Sequence, residues 1–524
     1  MSLDQQRATG RLEWVGVWLE PLDVLFFRDG RPFGAAMRAQ TGQPMPQTLA
    51  GAIWTGLLHM QGCDFQKLMQ VYREKVRSAG IWEAKRAEGE PSGSLAANQQ
   101  FRPAQDVGTG AVGPTAFGKL LQEAVLEAGG PEWIFQVQVR GPFWARCPEG
   151  KLTQMEVLTP MPANLYQTKK GKRADSRPGF WWAKPLSRHR RLPGWKPPGA
   201  GGPPAGAPGQ PAHNPAQVER FPEASGGAAG TAGIGPGASV ENGLRPVWVR
   251  SREDLEPATG FLTPAGLQCF LQESIPSPDQ VVAHHELYDY DHRTGIGIDP
   301  DRLTSAESQI YAVSLLALKP YVGFYVEVLV PEEGRSSVEK LQCVRWGGEG
   351  RQAAVHRLDR PWSWPGIGAA QGDAGLFVAG GSGAGESPMP AAGPGAGDAG
   401  RESGGASSGG GQRPAAADGT ATGPTPTGQK KPFLLLITPG LFAAGWLPGC
   451  LRGRLAGAVV PGEWAVSGWD LARGGPKPTR FAAPAGSVYF LDKPVESLPE
   501  SLSDRPEDRQ QGWGCYLQGV WTDE

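Results

Sequence analysis

Two stretches rich in Gly and Pro constrain most strongly what this chain can fold into. One runs from Lys196 to Gly243 and the other from about Gly368 to Gln429. Neither shows the apolar periodicity of a helix or a strand. Segments of this kind cannot bury enough apolar surface to offset the entropy that is lost on ordering. We therefore expect two long disordered insertions, and enough remaining chain for two domains of ordinary size.

The charge balance limits what the folded part can bind. The 524 residues carry 51 basic and 52 acidic side chains, for a net charge of −1. A bulk polyelectrolyte binder would carry a large excess of one sign, so any nucleic-acid surface must be a local patch. The six cysteines are scattered without a CxxC pair, which indicates neither a zinc site nor a disulfide framework.

No sequence signal directs this chain to a membrane. It has no N-terminal signal segment and no apolar run long enough to cross a bilayer. From this pattern we expect a soluble, cytoplasmic protein that makes no membrane contact.

The patterning outside the insertions predicts short strands mixed with a few helices. Helices are expected over 44–60, 113–130, 262–274 and 336–346, the third with Thr263 as its N-cap. Strands are expected over 12–27, 133–139, 309–330 (as two strands), 353–358, 431–438, 454–460, 486–492 and 513–521. Because these strands do not alternate regularly with long helices, the pattern argues against Rossmann and TIM-barrel folds. It favours an α+β protein with antiparallel sheets.

Several segments, in this order along the chain, resemble one known family. They are FFRDGRPF (26–33), PMPQTLAGAIWTGLL (44–58), QVRGPFW (138–144), TPMPANL (159–165), HRTGIGID (292–299), RWGGEGRQAAV (345–355), SGWDLARGGPKPTRFAAPAGSVYF (467–490) and GWGCYLQGVW (512–521). The ordered set closely resembles the third subunit of the Cmr complex, a type III-B CRISPR effector. That family belongs to the RAMP superfamily of CRISPR RNA-binding proteins.

The resemblance implies a fold and a role. It implies two ferredoxin-like (RRM-like) βαββαβ domains with antiparallel sheets, here 1–275 with the insertion at 196–243, and 276–524 with the insertion at 368–429. It also implies a non-catalytic subunit that holds the 5′ tag of the CRISPR RNA (crRNA). Its expected partners are this RNA, a large palm-domain subunit and the backbone RAMP subunits. The type III-A counterpart of this subunit remains an alternative.

One stretch has the composition of an RNA-binding patch. Residues 166–191 contain nine Lys or Arg and one Asp, a formal charge of +8 in an otherwise neutral protein. Cations can contact phosphates, and exposed aromatic rings can stack on unpaired bases. The alternative is a solvated loop with one Trp in the core. The candidate RNA-binding residues here are Lys169, Lys170, Lys172, Arg173, Trp181 and Trp182.

Other candidates lie on turns and glycine-rich loops. The turn after the first strand carries Arg28, Arg31 and Arg38, whose forked guanidinium groups suit phosphate oxygens. Glycines let a second backbone approach closely, and the loop at 347–351 is interpreted as following a helix. Each of these sites has a purely structural alternative. The remaining RNA-binding candidates are Arg293, Gly295, Gly347, Gly348, Gly350, Arg351, Lys477 and Arg480.

Two catalytic interpretations compete with RNA binding alone. The run HHELYDYDH (284–292) lacks any established metal-ligand spacing, so no metal site is expected. On a strand, His284 and Glu286 would face one side and His285 the other. A metal-independent RAMP endoribonuclease that processes CRISPR RNA would need a His such as His59, but a packed or capping role suits that position better. We expect no catalytic residue and no cofactor.

Overall fold

The structure is a computed structural model. It describes residues 12–27, 38–79, 118–169, 179–187, 244–298, 302, 304–365, 428–470, 475–495 and 497–523. Apart from residues 428 and 429, the two predicted insertions lie outside these ranges, so their expected disorder stays a prediction.

Seven α-helices lie within the described residues. The predicted helices at 44–60, 113–130 and 262–274 are confirmed, and the second is shorter than predicted. The Thr263 side chain accepts a hydrogen bond from the backbone N–H of Gly266 at 3.2 Å, as expected for an N-cap. None of the described helices combines the length and the hydropathy that a membrane span requires. The helices are α1 (Pro46–Met60), α2 (Phe65–Ser78), α3 (Lys119–Glu127), α4 (Pro264–Leu271), α5 (His284–Leu287), α6 (Glu332–Lys340) and α7 (Pro506–Gln510).

The described strands are mostly short and are paired antiparallel with one exception. Those before residue 283 are β1 (Leu12–Pro21), β2 (Arg38–Gln40), β3 (Gln138–Arg146), β4 (Glu156–Val157), β5 (Thr159–Pro160), β6 (Leu165–Thr168), β7 (Phe180–Trp182), β8 (Lys184–Pro185), β9 (Val247–Trp248), β10 (Leu255–Pro257), β11 (Phe261–Leu262) and β12 (Val281–Val282). Those after it are β13 (Tyr288–Ile298), β14 (Ser305–Leu318), β15 (Val322–Pro331), β16 (Cys343–Arg345), β17 (Gln352–Arg357), β18 (Gln429–Leu436), β19 (Leu455–Val459), β20 (Trp464–Val466), β21 (Trp469–Asp470), β22 (Gly475–Pro476), β23 (Arg480–Ala482), β24 (Val488–Leu491) and β25 (Tyr516–Asp523). The exception is β2, which pairs parallel with β14.

The larger sheet has six strands in the order β16-β17-β1-β15-β3-β4, with every neighbouring pair antiparallel. Along β1, Val15, Val17 and Leu19 point toward a core shared with α1, while Trp18 points to the opposite face. This alternation is what a strand covered on both faces requires. The sheet combines the segment 12–157 with the segment 322–357, so its strands come from both sides of residue 275, where the sequence predicts a domain boundary.

The second sheet has four strands in the order β19-β24-β18-β25, again all antiparallel. Its faces alternate equally clearly. Phe433 and Leu435 of β18 lie in one core cluster, and Leu434 and Leu436 lie in another. The first of these clusters also holds Trp18, Phe143 and Tyr325 of the six-stranded sheet and Phe270 of α4. The two sheets are therefore packed together through a common apolar layer.

A buried ion pair lies on the face of the six-stranded sheet that is turned toward the second sheet. Arg140 of β3 and Glu327 of β15 are register partners, and their charged groups are 3.7 Å apart. Glu327 is fully buried and accepts hydrogen bonds from the Tyr325 hydroxyl at 3.0 Å and from the Trp364 indole at 3.1 Å. Burial raises the pKa of Glu327, although the charge of Arg140 acts in the opposite direction.

Four predicted elements differ from the structure. The first strand ends at Pro21, and of the run 24–27 Leu25 forms an isolated bridge to Leu316. The predicted strand at 133–139 starts as the 3₁₀ helix Glu132–Gln136, which follows the extended Pro131. The predicted helix at 336–346 is α6, which ends at Lys340, followed by β16. Finally, His284 to Glu286 are helical in α5 rather than extended.

Candidate nucleic-acid interface

The structure joins three segments that the sequence treats separately. Residues 23–27 lie between the β13–β14 hairpin and the glycine loop 347–351. The Leu25 N–H donates to the Leu316 carbonyl at 2.8 Å, and the Gly348 N–H donates to the Phe26 carbonyl at 2.6 Å. A Cβ on Gly347, which has φ +102°, would lie 3.0 Å from that same carbonyl. This close approach explains the glycines structurally, since larger side chains would separate the loop from Phe26.

The sequence suggested that the glycine loop follows a helix, but the structure shows that it follows a strand. It connects β16 to β17, two antiparallel strands at the edge of the six-stranded sheet. Gly347 and Gly350 both adopt positive φ, at +102° and +71°. The loop is thus a strand-to-strand turn, and one side of its backbone contacts the Phe26 carbonyl.

Two predicted RNA-binding arginines are brought into one charged cluster, but each already has a carboxylate partner. The Arg293 guanidinium donates to Asp291 at 2.7 and 2.9 Å. Arg351 donates to Asp23 and lies 3.7 Å from Glu349. Hydrogen bonding to Asp291, together with the negative charges of Asp291, Asp23 and Glu349, raises the pKa of Arg293. An RNA phosphate at this cluster would have to compete with these carboxylates.

The arginine-bearing turn is described only at its ends. The described chain ends at Phe27 and resumes at Arg38 in β2, so Arg28 and Arg31 lie outside the described residues. The register places Arg38 beside Ala312 of β14, and Ala312 in turn lies beside Thr294 of β13. The turn therefore begins and ends at the β13–β14 hairpin, next to the arginine cluster.

The predicted basic patch belongs to a second hairpin, β6–β7. Lys169 is exposed at its end, and Lys170, Lys172 and Arg173 lie outside the described residues. The Trp182 ring packs against Phe270, Phe433 and Phe490 at centroid distances of 5.5 to 5.8 Å. The Trp182 ring therefore packs against the apolar core while its side chain stays partly buried, as the structural alternative expects of one Trp. Trp181 is half-buried opposite Tyr166.

The two remaining candidate cations differ from each other. Lys477 is exposed, and its backbone N–H donates to the Gly468 carbonyl at 2.7 Å. Arg480 of β23 donates to both oxygens of Asp508, at 2.7 and 2.5 Å, and Asp508 is buried. Arg480 therefore neutralises a buried carboxylate, so its guanidinium stabilises the fold locally. Gly295 faces Tyr311, whose ring carbon would lie 2.2 Å from an added Cβ.

The described histidines lie in different environments. No group of three or more His, Cys, Asp or Glu side chains there is placed to hold a metal ion. Burial, together with the neighbouring His285, lowers the pKa of His284. His59 is exposed in the last turn of α1, with its ring 6.3 Å from that of Phe65. It is therefore less packed than the sequence suggested.

A row of rings on β13 is absent from the sequence-based predictions. Tyr288, Tyr290 and His292 alternate with Asp289 and Asp291 along this strand. The period-two spacing was the available signal, because residues i, i+2 and i+4 share one face of a strand.

Comparison with known proteins establishes the class of the chain. The family model for the CRISPR-associated protein (Cas_Cmr3) matches residues 17–178, 208–367 and 416–521, which is most of the sequence. The matches leave out 179–207 and 368–415, so they skip only part of each predicted insertion. The chain is a CRISPR-associated protein. It belongs to the Cas_Cmr3 family and is a subunit of the type III-B Cmr effector.

Solved structures give a weaker likeness. One chain of the cryo-EM structure of the Type III-B Cmr-beta bound to cognate target RNA and AMPPnP, state 1, is 12% identical with a TM-score of 0.34. A chain of the Cmr-beta structure bound to cognate target RNA is also 12% identical, with a TM-score of 0.35. Each match covers 91% of this chain and 86% of the other. At such TM-scores the likeness supports no statement about fold or ligands. A search of curated proteins finds no match.

Proposed function

We propose that this subunit binds the 5′ tag of the crRNA and does no chemistry on it. In this proposal it also bridges the large palm-domain subunit to the backbone RAMP subunits of the effector. The observation that carries the proposal is the Cas_Cmr3 family match, which extends over both sheets and the hairpins between them. The arginine cluster and the exposed Lys169 and Lys477 are the described cations from which phosphate contacts would come.

We also propose that each main sheet is a ferredoxin-like unit. In that fold the four strands of a βαββαβ unit take the spatial order 4-1-3-2. Numbered along the chain, β1, β3, β15 and β17 have this order, with α1 after the first strand and α6 before the fourth. The strands β18, β19, β24 and β25 have it as well. The first unit then carries its RNA-facing hairpin between its second and third strands.

Co-purification tests the proposed function most directly. The full chain is expressed with the other effector subunits and a guide RNA that carries an intact 5′ tag. Guide RNA recovered through this subunit supports the proposal, and assembly with equal recovery of tagless guide RNA contradicts tag binding. The non-catalytic part is tested separately, since cleavage of repeat RNA by the purified chain in EDTA, abolished by His59→Ala, would contradict it.

The salt dependence of RNA binding tests the predicted cation patch. Neutralising Lys169, Lys170, Lys172 and Arg173 together should weaken binding of single-stranded RNA and flatten the slope of log Kd against log salt. An unchanged slope would show that these residues do not contact phosphates.

A further inference from the structure

The rings on β13 lead from the core to the surface along one face of the strand. Tyr288 is 8% exposed, Tyr290 is 37% exposed, and His292 is exposed. The Tyr288 and Tyr290 centroids are 5.7 Å apart at an interplanar angle of 79°. The Tyr290 and His292 rings are 6.4 Å apart and lie within 28° of parallel. The outer two rings are therefore nearly parallel, and both are exposed to solvent.

The outer ring is held in a fixed orientation. His292 Nδ1 lies 2.7 Å from the Ser314 hydroxyl oxygen on the neighbouring strand. Ser314 is only 2% exposed, and its carbonyl accepts a hydrogen bond from the Thr41 N–H at 2.9 Å. A ring that is anchored to a buried partner loses little rotamer freedom when a ligand binds, which is the usual advantage of a preorganised site.

The charges of β13 are separated between its two faces. Asp289 and Asp291 alternate with the rings and point to the opposite face, where they pair with Lys319 and Arg293. Among the described side chains of β13, the ring face thus carries no carboxylate. Farther along the same face Ile296 lies opposite Ile310, and both are more than half exposed. None of the described carboxylates of β13 therefore repels a polyanion that approaches this face.

We propose that Tyr290 and His292 form a stacking surface for an unpaired nucleobase of single-stranded RNA. The inference rests on the proposed function and assigns a base-contacting site, distinct from the phosphate-contacting cations. A base is the occupant that this geometry favours, because two exposed and nearly parallel rings offer flat π faces for stacking. Stacking on such rings tolerates any base, since every base has a π face.

Substitutions at Tyr290 distinguish stacking from simple apolar contact. The full chain binds a fluorescein-labelled, unstructured single-stranded RNA, and anisotropy gives Kd at two salt concentrations. Tyr290→Ala should raise Kd about 5- to 150-fold, the range for one lost base stack. Tyr290→Phe should retain the wild-type affinity, whereas Tyr290→Leu should behave like the Ala variant. Tyr321→Ala, which removes a tyrosine 60% exposed outside the hairpin, is the matched control and should leave Kd unchanged.

The salt slope separates this inference from the proposed function. Because stacking involves no counterion release, Tyr290→Ala should keep the wild-type slope. If the Tyr290→Ala or the Tyr290→Leu variant binds RNA with the wild-type Kd, the stacking surface is contradicted. The proposal that the chain binds RNA would then still stand. Absence of RNA binding by the wild-type chain overturns both.

A measurement on the unmodified protein guards against misfolded variants. Abasic sites are placed one at a time along the RNA probe, and Kd is measured for the wild-type chain. One position should show a loss similar to that of Tyr290→Ala, and the two losses should not add when combined. Equal tolerance of an abasic site at every position contradicts the proposal.

Discussion

Four neighbouring strands of the six-stranded sheet have the same spatial order as the strands of the four-stranded sheet. The two sheets are nevertheless built from the chain in different ways. The larger sheet is assembled from segments that are far apart in the chain, and α1 and α6 lie among the elements packed on its outer face. The smaller sheet comes from 429–523, and its outer face is covered mainly by Leu447, Leu451 and Leu502 from connecting segments. The comparison teaches that strand order and facial alternation set this topology, while the elements that cover the outer face can vary.

The two sheets also differ in where they bury charge. The six-stranded sheet has Arg140 and Glu327 in its interior face, toward the other sheet. The four-stranded sheet has Asp523 near the end of its edge strand, bonded to Arg245 at 2.6 Å and to Lys431 at 2.6 Å. The first pair joins two neighbouring strands within the six-stranded sheet, and the second lies at the end of the four-stranded sheet. Their removal should therefore have different consequences.

The largest effect is expected from Arg140→Leu. It leaves Glu327 fully buried without its cation, so the free energy of unfolding should fall by about 3–5 kcal/mol. The variant retains a carboxyl whose pKa is raised by burial, so its stability should decline further as pH rises above about 4.3, the unfolded value for Glu. Chemical denaturation at pH 5 and pH 8 measures both effects.

Two further variants are the controls for Arg140→Leu. Arg146 lies on β3, as Arg140 does, and forms a half-exposed ion pair with Glu156 of β4. Breaking this pair by Arg146→Gln should cost no more than about 1 kcal/mol. Arg140→Leu combined with Glu327→Leu should recover part of the loss. If the double variant is less stable than Arg140→Leu, the buried charge is not the cause.

An intermediate effect is expected from Asp523→Asn in the four-stranded sheet. Burial alone would raise the pKa of Asp523, but hydrogen bonds from Arg245 and Lys431 outweigh it and lower the pKa. The stabilisation is therefore present above the unfolded value of about 3.9 and is lost as pH falls through the folded value. The variant should lose about 1–3 kcal/mol at pH 7.

The acid limb of the stability curve identifies the cause of the Asp523→Asn effect. Thermal unfolding between pH 7 and pH 2 should show a flatter acid limb for the variant than for the wild type. Glu149→Gln removes an exposed partner of Lys151 and should leave that limb unchanged. An equally steep acid limb in Asp523→Asn would assign the linkage to other carboxylates.

The smallest effects are expected at the N-cap residues of two helices. Thr263 caps α4, which packs between the sheets, and Asp64 caps α2 in the layer outside the larger sheet. Replacing either by Ala should cost about 1 kcal/mol, and Ser at either position should retain the cap. Hydrogen exchange should show a wider loss of protection for Thr263→Ala, because α4 contacts both sheets. Loss confined to α4 would contradict that coupling.

The sequence predicted well those helices and strands whose signal lies in neighbouring residues. Thr263 and Pro264 define the start of α4 by capping chemistry, and the continuous apolar run 433–436 suits a strand covered on both faces. It failed where a neighbour in space decides the structure. Glu132 to Gln136 form a 3₁₀ turn although the letters alternate, and the loop 347–351 is a strand connection fixed by Phe26. The pairing of Arg351 with Asp23 and of Arg480 with Asp508 was equally inaccessible, because these carboxylates are distant in sequence from their arginines.

What the sequence alone determined is the α+β character, the main strands and helices, and the family resemblance, since periodicity, capping residues and motif order are properties of neighbouring residues. The tertiary structure decided that β1 pairs with β15 and β17 across the predicted boundary at 275. It also decided that Arg293 and Arg351 share one cluster with carboxylates, and that Tyr290 and His292 lie at the surface. The pairing of β1 and the contact of Arg351 with Asp23 join segments that are hundreds of residues apart, so only the packed chain sets their free energy of burial and ion pairing.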